Sequence, residues 1–203
     1  IAGCWDVNPS KGEAFGKKHG GARVCGSIKE LLSMKEVDAV VGNLIEANLT
    51  GHDSHGVGMI PAYVANIRAG HLDVQAHGRL ARDSGAVLLV DGEMGFGQVI
   101  GREATDLALD RVRSTGVVCV GVRNCHHLGR IGTYGELCGR AGYVSVHFVN
   151  VVGHAPQVSP FGGRDRRMTT NPFCCVVPRE GHEPLVLDMA TSAIALGKVL
   201  PLL

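Results

Sequence analysis

The chain has 203 residues, 45% of them hydrophobic, and its 20 Lys and Arg against 19 Asp and Glu leave a formal net charge of +1. That is material for a substantial core, in one large domain or two small ones. Interspersed charges with no basic face argue against nucleic acid as a partner and point to small molecules. No apolar run approaches the roughly 20 residues needed to span a bilayer, and the N-terminus lacks a signal-peptide pattern, so a cytoplasmic setting without a membrane partner is expected. Seven cysteines, odd in number and without a CxxC pair, read as reduced thiols, most of them in apolar company such as Phe173-Cys174-Cys175-Val176.

In chain order, a short apolar start ending at Cys4-Trp5-Asp6 gives way to a turn at Asn8-Pro9-Ser10 and a helix-compatible stretch from Lys11 to His19. Ser27 with Glu30 three residues on forms a capping box opening Ile28 to Met34, and Val37-Asp38-Ala39-Val40-Val41 reads as a strand. This alternation suggests part of a doubly wound α/β unit in which Asp6 would bind a ribose hydroxyl, but the glycine-rich phosphate loop is absent, so Asp6 alone makes no cofactor site.

From Asn43 the pattern changes. Residues 44–49 look like the last turns of a helix, Ile60 to Ile67 like a second helix with Pro61 in its first turn, and Val87 to Val90 like a strand ending in a tight turn at Asp91-Gly92. Gly101 to Ser114 is amphipathic, with Ala104, Leu107, Ala108 and Val112 on one face. Further strands are expected over Val117 to Val122, Val144 to Val152, Cys174 to Pro178 and Leu185 to Asp188.

Two knots of chemistry interrupt these elements. Leu49-Thr50-Gly51-His52-Asp53-Ser54-His55-Gly56-Val57-Gly58-Met59 packs two imidazoles, a carboxylate and a hydroxyl between glycines. Asn124-Cys125-His126-His127-Leu128-Gly129-Arg130-Ile131-Gly132 again sets histidines among glycines, and the two together suggest one site for proton transfer near neutral pH. His52, Asp53 and His55 lack the fixed-offset pairs of a zinc site, so no metal is expected. Ser54-His55 lacks a Gly-x-Ser-x-Gly elbow, which demotes hydrolysis. Gly92 to Gln98 has the wrong spacing for a dinucleotide fingerprint and reads as a closely packed structural turn.

Two resemblances follow from these residues. Asp6-Val7-Asn8-Pro9, Glu13-Ala14-Phe15, Ser27 to Leu32 and Val37 to Val40 resemble the middle of the nucleotide-binding domain of glucose-fructose oxidoreductase type dehydrogenases, a partial Rossmann βαβ fragment over 1–41. Residues 42–203 resemble the N-terminal and central part of the malate/L-lactate dehydrogenase family that is unrelated to the Rossmann-type enzymes, especially its hydroxycarboxylate dehydrogenase members. The motifs are Ala47 to Val57, Asp91 to Gln98, His126 to Gly132, Pro160 to Gly163, Thr169 to Phe173, Leu187 to Ser192 and Gly197-Lys198.

The second resemblance implies an α/β fold distinct from Rossmann, a homodimer, and NAD or NADP as cofactor for hydride exchange with C2 of a small 2-hydroxy or 2-oxo acid. His127 matches the proton acceptor, and His55 a residue touching both cofactor and substrate, with Ser54 and Tyr63 on the substrate side. Gly129, Arg130 and Ile131, and then Asp188, Met189, Ala190, Thr191 and Ser192, match cofactor-contacting segments. Met59 stands where some members carry a basic residue able to clamp the substrate carboxylate, with Arg130 the alternative clamp. Members of the family run on well past Gly197-Lys198, so the chain reads as a truncated fusion of two oxidoreductase pieces. The competing expectation is an inactive fragment that at most self-associates.

Overall fold

Hydrophobic periodicity of 3.6 from Val40 through Leu44 to Ala47 is what turns residues 35–49 into a helix, and it draws in residues whose β-branched run had suggested a strand. The computed structural model describes residues 3–4, 13, 23–24, 35–153 and 155–192. In it α1 spans Lys35–Leu49, so the strand expected over Val37 to Val41 is corrected to helix. The physical reason is that a short apolar run fits either period, and here the following turns bury Leu44 and Ala47 while Val40 packs on the same side. The family boundary expected at 41/42 falls inside α1. Two short strands, β1 (Gly3–Cys4) and β2 (Arg23–Val24), pair in parallel, and Glu13 between them is helical. Asp6, the Ser27–Glu30 capping box, most of the helix expected over 11–19, His154 and the Gly197-Lys198 motif lie outside the described residues.

The chain divides into two units, 1–129 and 130–203. In the first, α1 is followed by two single 3-10 turns (Asp53–His55 and Val57–Met59) and by α2 (Ile60–Arg68), which carries Pro61 in its first turn where a missing N–H costs nothing. A three-stranded sheet then runs β3 (Arg79–Asp83), β4 (Val87–Asp91), β5 (Cys119–Arg123) in that spatial order, β3 antiparallel and β5 parallel to β4. Parallel neighbours require a crossover, supplied by α3 (Gly97–Thr115), which ends at Gly116 in the left-handed conformation. Val90, Ile100 and Ala104 form the seam between α3 and the sheet, with Leu107, Val120 and Val122 against it. Leu44, Tyr63 and Leu72 form a second cluster beneath α1 and α2, joined by Met59 and Phe96. Each fully buried Leu, Ile or Val among them contributes about 1.5–3 kcal/mol.

The second unit is an antiparallel sheet of β6 (Ser145–Phe148), β7 (Pro172–Arg179) and β8 (His182–Ala190), with α4 (Gly132–Arg140) on one face. Two glycines one turn apart allow that contact. A Cβ on Gly135 would lie 3.2 Å from Cys174 Sγ, and one on Gly139 2.7 Å from Pro184 and 2.8 Å from Val176. Neither α4 nor β3 was anticipated from sequence, because Gly132–Arg140 carries three glycines and Arg79–Asp83 three charges, compositions that speak against helix and strand respectively.

Asp83 shows how the surface of the first unit titrates. Its carboxylate receives both Arg111 guanidinium nitrogens at 2.7 Å and the Gly85 N–H at 3.0 Å. The guanidinium above all, then the Gly85 N–H, holds the carboxyl down from 3.8 to about 2. The unfolded chain therefore takes up this proton at a higher pH than the folded one. The stability the pair contributes is present in full above the ordinary carboxylate pKa and is lost as pH falls towards about 2. We expect Asp83→Asn to lower the melting temperature near neutrality and to flatten its fall between about pH 5 and about pH 2, followed by circular dichroism. An unchanged slope would mean that Asp83 is not one of the groups titrating there.

Candidate active site

The site residues of the first unit sit on α2, at the start of α3 and where loops leave α1, β4 and β5. At the end of α1, Asn48 does the work of a clasp: its Nδ2 donates to Asp53 Oδ1 at 2.6 Å and its Oδ1 accepts from the Val57 N–H at 2.9 Å. The turn 52–57 is thereby folded back onto the helix end, with Gly56 so near the Asn48 amide that no side chain fits there. This fixes Ser54 and His55, whose Oγ and Nδ1 are 3.0 Å apart. The Asp53 carboxylate is spent on Asn48, so it serves as a structural anchor of the turn.

On the other side, Asp91 at the end of β4 joins two loops. It accepts from the Glu93 N–H (3.2 Å), from Asn124 Nδ2 (3.2 Å) and from Arg123 Nε (3.0 Å). Those hydrogen bonds, the Glu93 N–H first and the Asn124 amide next, hold its carboxyl below the ordinary carboxylate value. Glu93, Met94 and Asn124 all take positive φ, which non-glycine residues adopt only when their surroundings impose it. The Met94 N–H donates to Asn124 O at 2.6 Å and the His126 N–H to Gly95 O at 2.9 Å, lacing the loops together. Gly97, at the first turn of α3, lies directly against the main-chain carbonyls of His126 and His127. The glycine-rich stretch 92–98 is thus a structural turn, as its spacing suggested, packed on the histidine loop.

The outcome is a cluster of aromatic rings. The His55 and His127 rings stack with centroids 5.2 Å apart and planes 30° apart. Tyr63, only 3% exposed, places its Oη 2.8 Å from His127 Nδ1 and meets the edges of Phe96 and His126. Gln98 Nε2 donates to the same Tyr63 Oη at 2.7 Å. Burial raises the Tyr63 pKa above the ordinary phenol value, opposed by the Gln98 bond, so Tyr63 stays a neutral hydroxyl. Burial also pushes His126 below the usual imidazole value, and its Nδ1 has no hydrogen-bond partner among the described residues. Four of the residues singled out in the sequence, Ser54, His55, Tyr63 and His127, therefore come together in the first unit.

Gly129 closes that unit at φ +73°, against the Asn43 amide, where a side chain would be both strained and obstructed. Within the second unit, Arg130 (7% exposed) pairs with Glu136 at 2.5 Å and with Asp188 at 3.8 Å. Asp188 also accepts the Gly132 N–H at 2.7 Å, at the start of α4. Ile131 is buried. Met189, Ala190, Thr191 and Ser192 run out from the end of β8, with Thr191 exposed and Ser192 half-buried. Met59 packs into the cluster around Leu44 and Tyr63.

Sequence reasoning missed Asn48, Asp91 and Gln98. All three lay inside quoted motifs, but nothing in a sequence says which polar residue folds back on its own main chain. Gln98 did leave a signal, an amide in the otherwise apolar run Phe96 to Ile100 at the start of a helix.

Comparison with known proteins gives a consistent picture. Residues 29–202 match the family model described as malate/L-lactate dehydrogenase. Hydroxycarboxylate dehydrogenase B of Escherichia coli K12 is 51% identical over 164 residues, 81% of this chain and 45% of that protein. L-lactate dehydrogenase of Cupriavidus necator is 40% identical over 176 residues, covering 84% and 50%. Among solved structures, the sulfolactate dehydrogenase of Methanocaldococcus jannaschii superposes with a TM-score of 0.76 at 31% identity, covering 82% of this chain and 47% of that one. The chain spans about half the length of the relatives it matches.

The contact of Gly97 with main-chain oxygens generates a prediction. Gly97→Ala forces the backbone of His126 and His127 to move and is expected to cost about 1–3 kcal/mol in urea unfolding. Gly58→Ala, where a Cβ meets nothing within 4 Å, should stay within about 0.5 kcal/mol of the parent. Equal midpoints for the two variants would show that the Gly97 contact does not constrain the histidine loop.

Proposed function

This chain belongs to the malate/L-lactate dehydrogenase family, and on that footing we propose that it exchanges a hydride between NAD or NADP and C2 of a small 2-hydroxy or 2-oxo carboxylic acid. The observation that carries the reading is the 2.8 Å contact of His127 Nδ1 with Tyr63 Oη inside the ring cluster. It fixes the imidazole plane and commits Nδ1 to the protein, which makes Nε2 the nitrogen for exchange with a substrate hydroxyl.

In the oxidising direction His127 takes the O–H proton as the C2–H bond gives up its electron pair, and in the reducing direction the imidazolium returns the proton to the developing alkoxide. When bound, a nicotinamide nucleotide supplies the two-electron acceptor or donor. His55, held by Ser54 and stacked on His127, presents a flat imidazole suited to orient substrate and nicotinamide. Ser54 and Tyr63 are the proposed substrate contacts. In the first unit Gly129 is a proposed cofactor contact. In the second, Arg130 and Ile131 turn their side chains into the protein, so that segment would meet a nucleotide through its main chain. Asp188, Met189 and Ala190 lead to the Thr191 and Ser192 hydroxyls, donors of the kind that suit ribose or phosphate oxygens. This donor set fits a nucleotide. The same proposal takes the working form to be a cytoplasmic homodimer.

The test begins with titration of the purified protein with NADH and with NADPH, following nicotinamide fluorescence, with His55→Ala as control. Saturable binding weakened in the variant is expected. With 2-hydroxy acids, His127→Ala should then lower turnover by about 10²–10⁴-fold. Full turnover in His127→Ala overturns the assignment of the base. Binding of neither nucleotide overturns the dehydrogenase reading and leaves a non-catalytic, self-associating chain as the better description.

A further inference from the structure

The Tyr63 hydroxyl sits between two groups that can each either give or take a hydrogen bond, and it has one hydrogen to give. Gln98 is 2% exposed and reaches Tyr63 Oη with its amide, at 2.7 Å, while His127 Nδ1 lies 2.8 Å from the same oxygen. With Gln98 Nε2 donating, the phenol hydrogen is directed to His127 Nδ1. The ring proton of a neutral His127 must then sit on Nε2. That tautomer cannot accept a proton at Nε2. Gln98 Oε1 is then buried with no hydrogen-bond partner among the described residues, and because a half-turn would put the amide nitrogen in the same place, that atom does not choose between the two orientations.

A half-turn of the amide about its last torsion exchanges Nε2 and Oε1 at nearly the same heavy-atom positions. Tyr63 O–H then donates to Gln98 Oε1, Tyr63 Oη accepts His127 Nδ1–H, and Nε2 is the ring nitrogen left without a proton. The imidazolium formed after proton transfer also keeps its Nδ1–H, so one orientation of Gln98 serves both ends of the reaction. Resting on the reading of His127 as the base, we propose that Gln98 is a positioning residue which turns its carbonyl oxygen to Tyr63 in the working protein and so holds neutral His127 as its Nδ1–H tautomer. Tyr63 transmits the orientation as a hydrogen-bonding phenol and does not itself change protonation. In that chain, Nδ1–H to Oη and O–H to Oε1, the buried Tyr63 hydroxyl uses both its acceptor and its donor capacity.

The experiment is nitrogen-15 NMR of the full chain with labelled histidine at about pH 8, above the usual range of imidazole titration, with the His127 signals assigned by their loss in His127→Gln. The expected parent spectrum shows His127 predominantly as Nδ1–H. In Gln98→Leu, similar in volume but without polar atoms, and in Tyr63→Phe, which removes only Oη, the Nε2–H form that an unconstrained histidine favours should become the major species. Melting temperatures and the remaining histidine signals confirm that each variant is folded, and if one is not, the other carries the test alone. Predominant Nε2–H in the parent, or Nδ1–H that survives both substitutions, overturns the proposal. The readout needs neither nucleotide nor turnover. Failure to bind NADH and NADPH would sink the dehydrogenase reading and leave a tautomer set by Gln98 standing, and the reverse combination would separate the two in the other direction.

Discussion

The histidine loop of the first unit depends on one carboxylate in an awkward place. Asp91 ends a strand whose inner positions are apolar, and it is 6% exposed. It is tolerable there because a main-chain N–H, an amide and a guanidinium surround it. Those partners come from two loops that otherwise have little to hold them. Three residues with positive φ are distributed over the same two loops, each a conformation costing of order 1 kcal/mol or more. The hydrogen bonds to Asp91 and the two inter-loop main-chain bonds are what over-determine that geometry. Removing the carboxylate would release the strained residues and, with them, the histidines two and three positions beyond Asn124.

A second constraint acts by the absence of side chains. Gly56 against Asn48, Gly97 against the His126 and His127 carbonyls, and Gly129 against Asn43 each allow main chain to approach a polar group closely. The rings of His55, Tyr63 and His127 can then meet because the loops that carry them are drawn in. The ring stack is a consequence of loop packing more than its cause, since aromatic pairs contribute only about 0.5–1.5 kcal/mol beyond their burial. What the stack adds is orientation. With Tyr63 buried and neutral, the imidazole of His127 has a fixed plane and a fixed partner, the condition under which a proton moves to and from one defined nitrogen.

The second unit solves a different problem with similar means. Arg130 is buried, yet its charge is balanced by Glu136 and Asp188, and Asp188 also takes the first N–H of α4. Such a buried network contributes less to net stability than its short distances suggest, because desolvation of three charged groups offsets much of their attraction. Its effect is to tie the start of α4 to the end of β8, where Arg130, Ile131 and the segment from Asp188 to Ser192 lie.

How much of this was legible in the sequence follows from what each feature depends on. The helix over residues 60–67, the strands of the second unit and the helix expected from Gly101 to Ser114, which in the structure begins earlier at Gly97, were visible because burial imposes a period, and the period survives in the chain. The two histidine motifs stood out because imidazoles flanked by glycines have few structural uses, and the family was visible in the order of its motifs. The Val37 to Val41 segment misled because five residues are too few to separate a period of 2 from one of 3.6. That Tyr63 lies against His127, 64 positions away, that Gln98 closes the chain behind it, and that Asp91 fastens two loops were decided by tertiary structure alone. Each is a contact between residues distant in sequence whose partner is chosen by packing, and hydrogen-bonding capacity, unlike hydrophobicity, leaves no periodic trace from which a partner could be read.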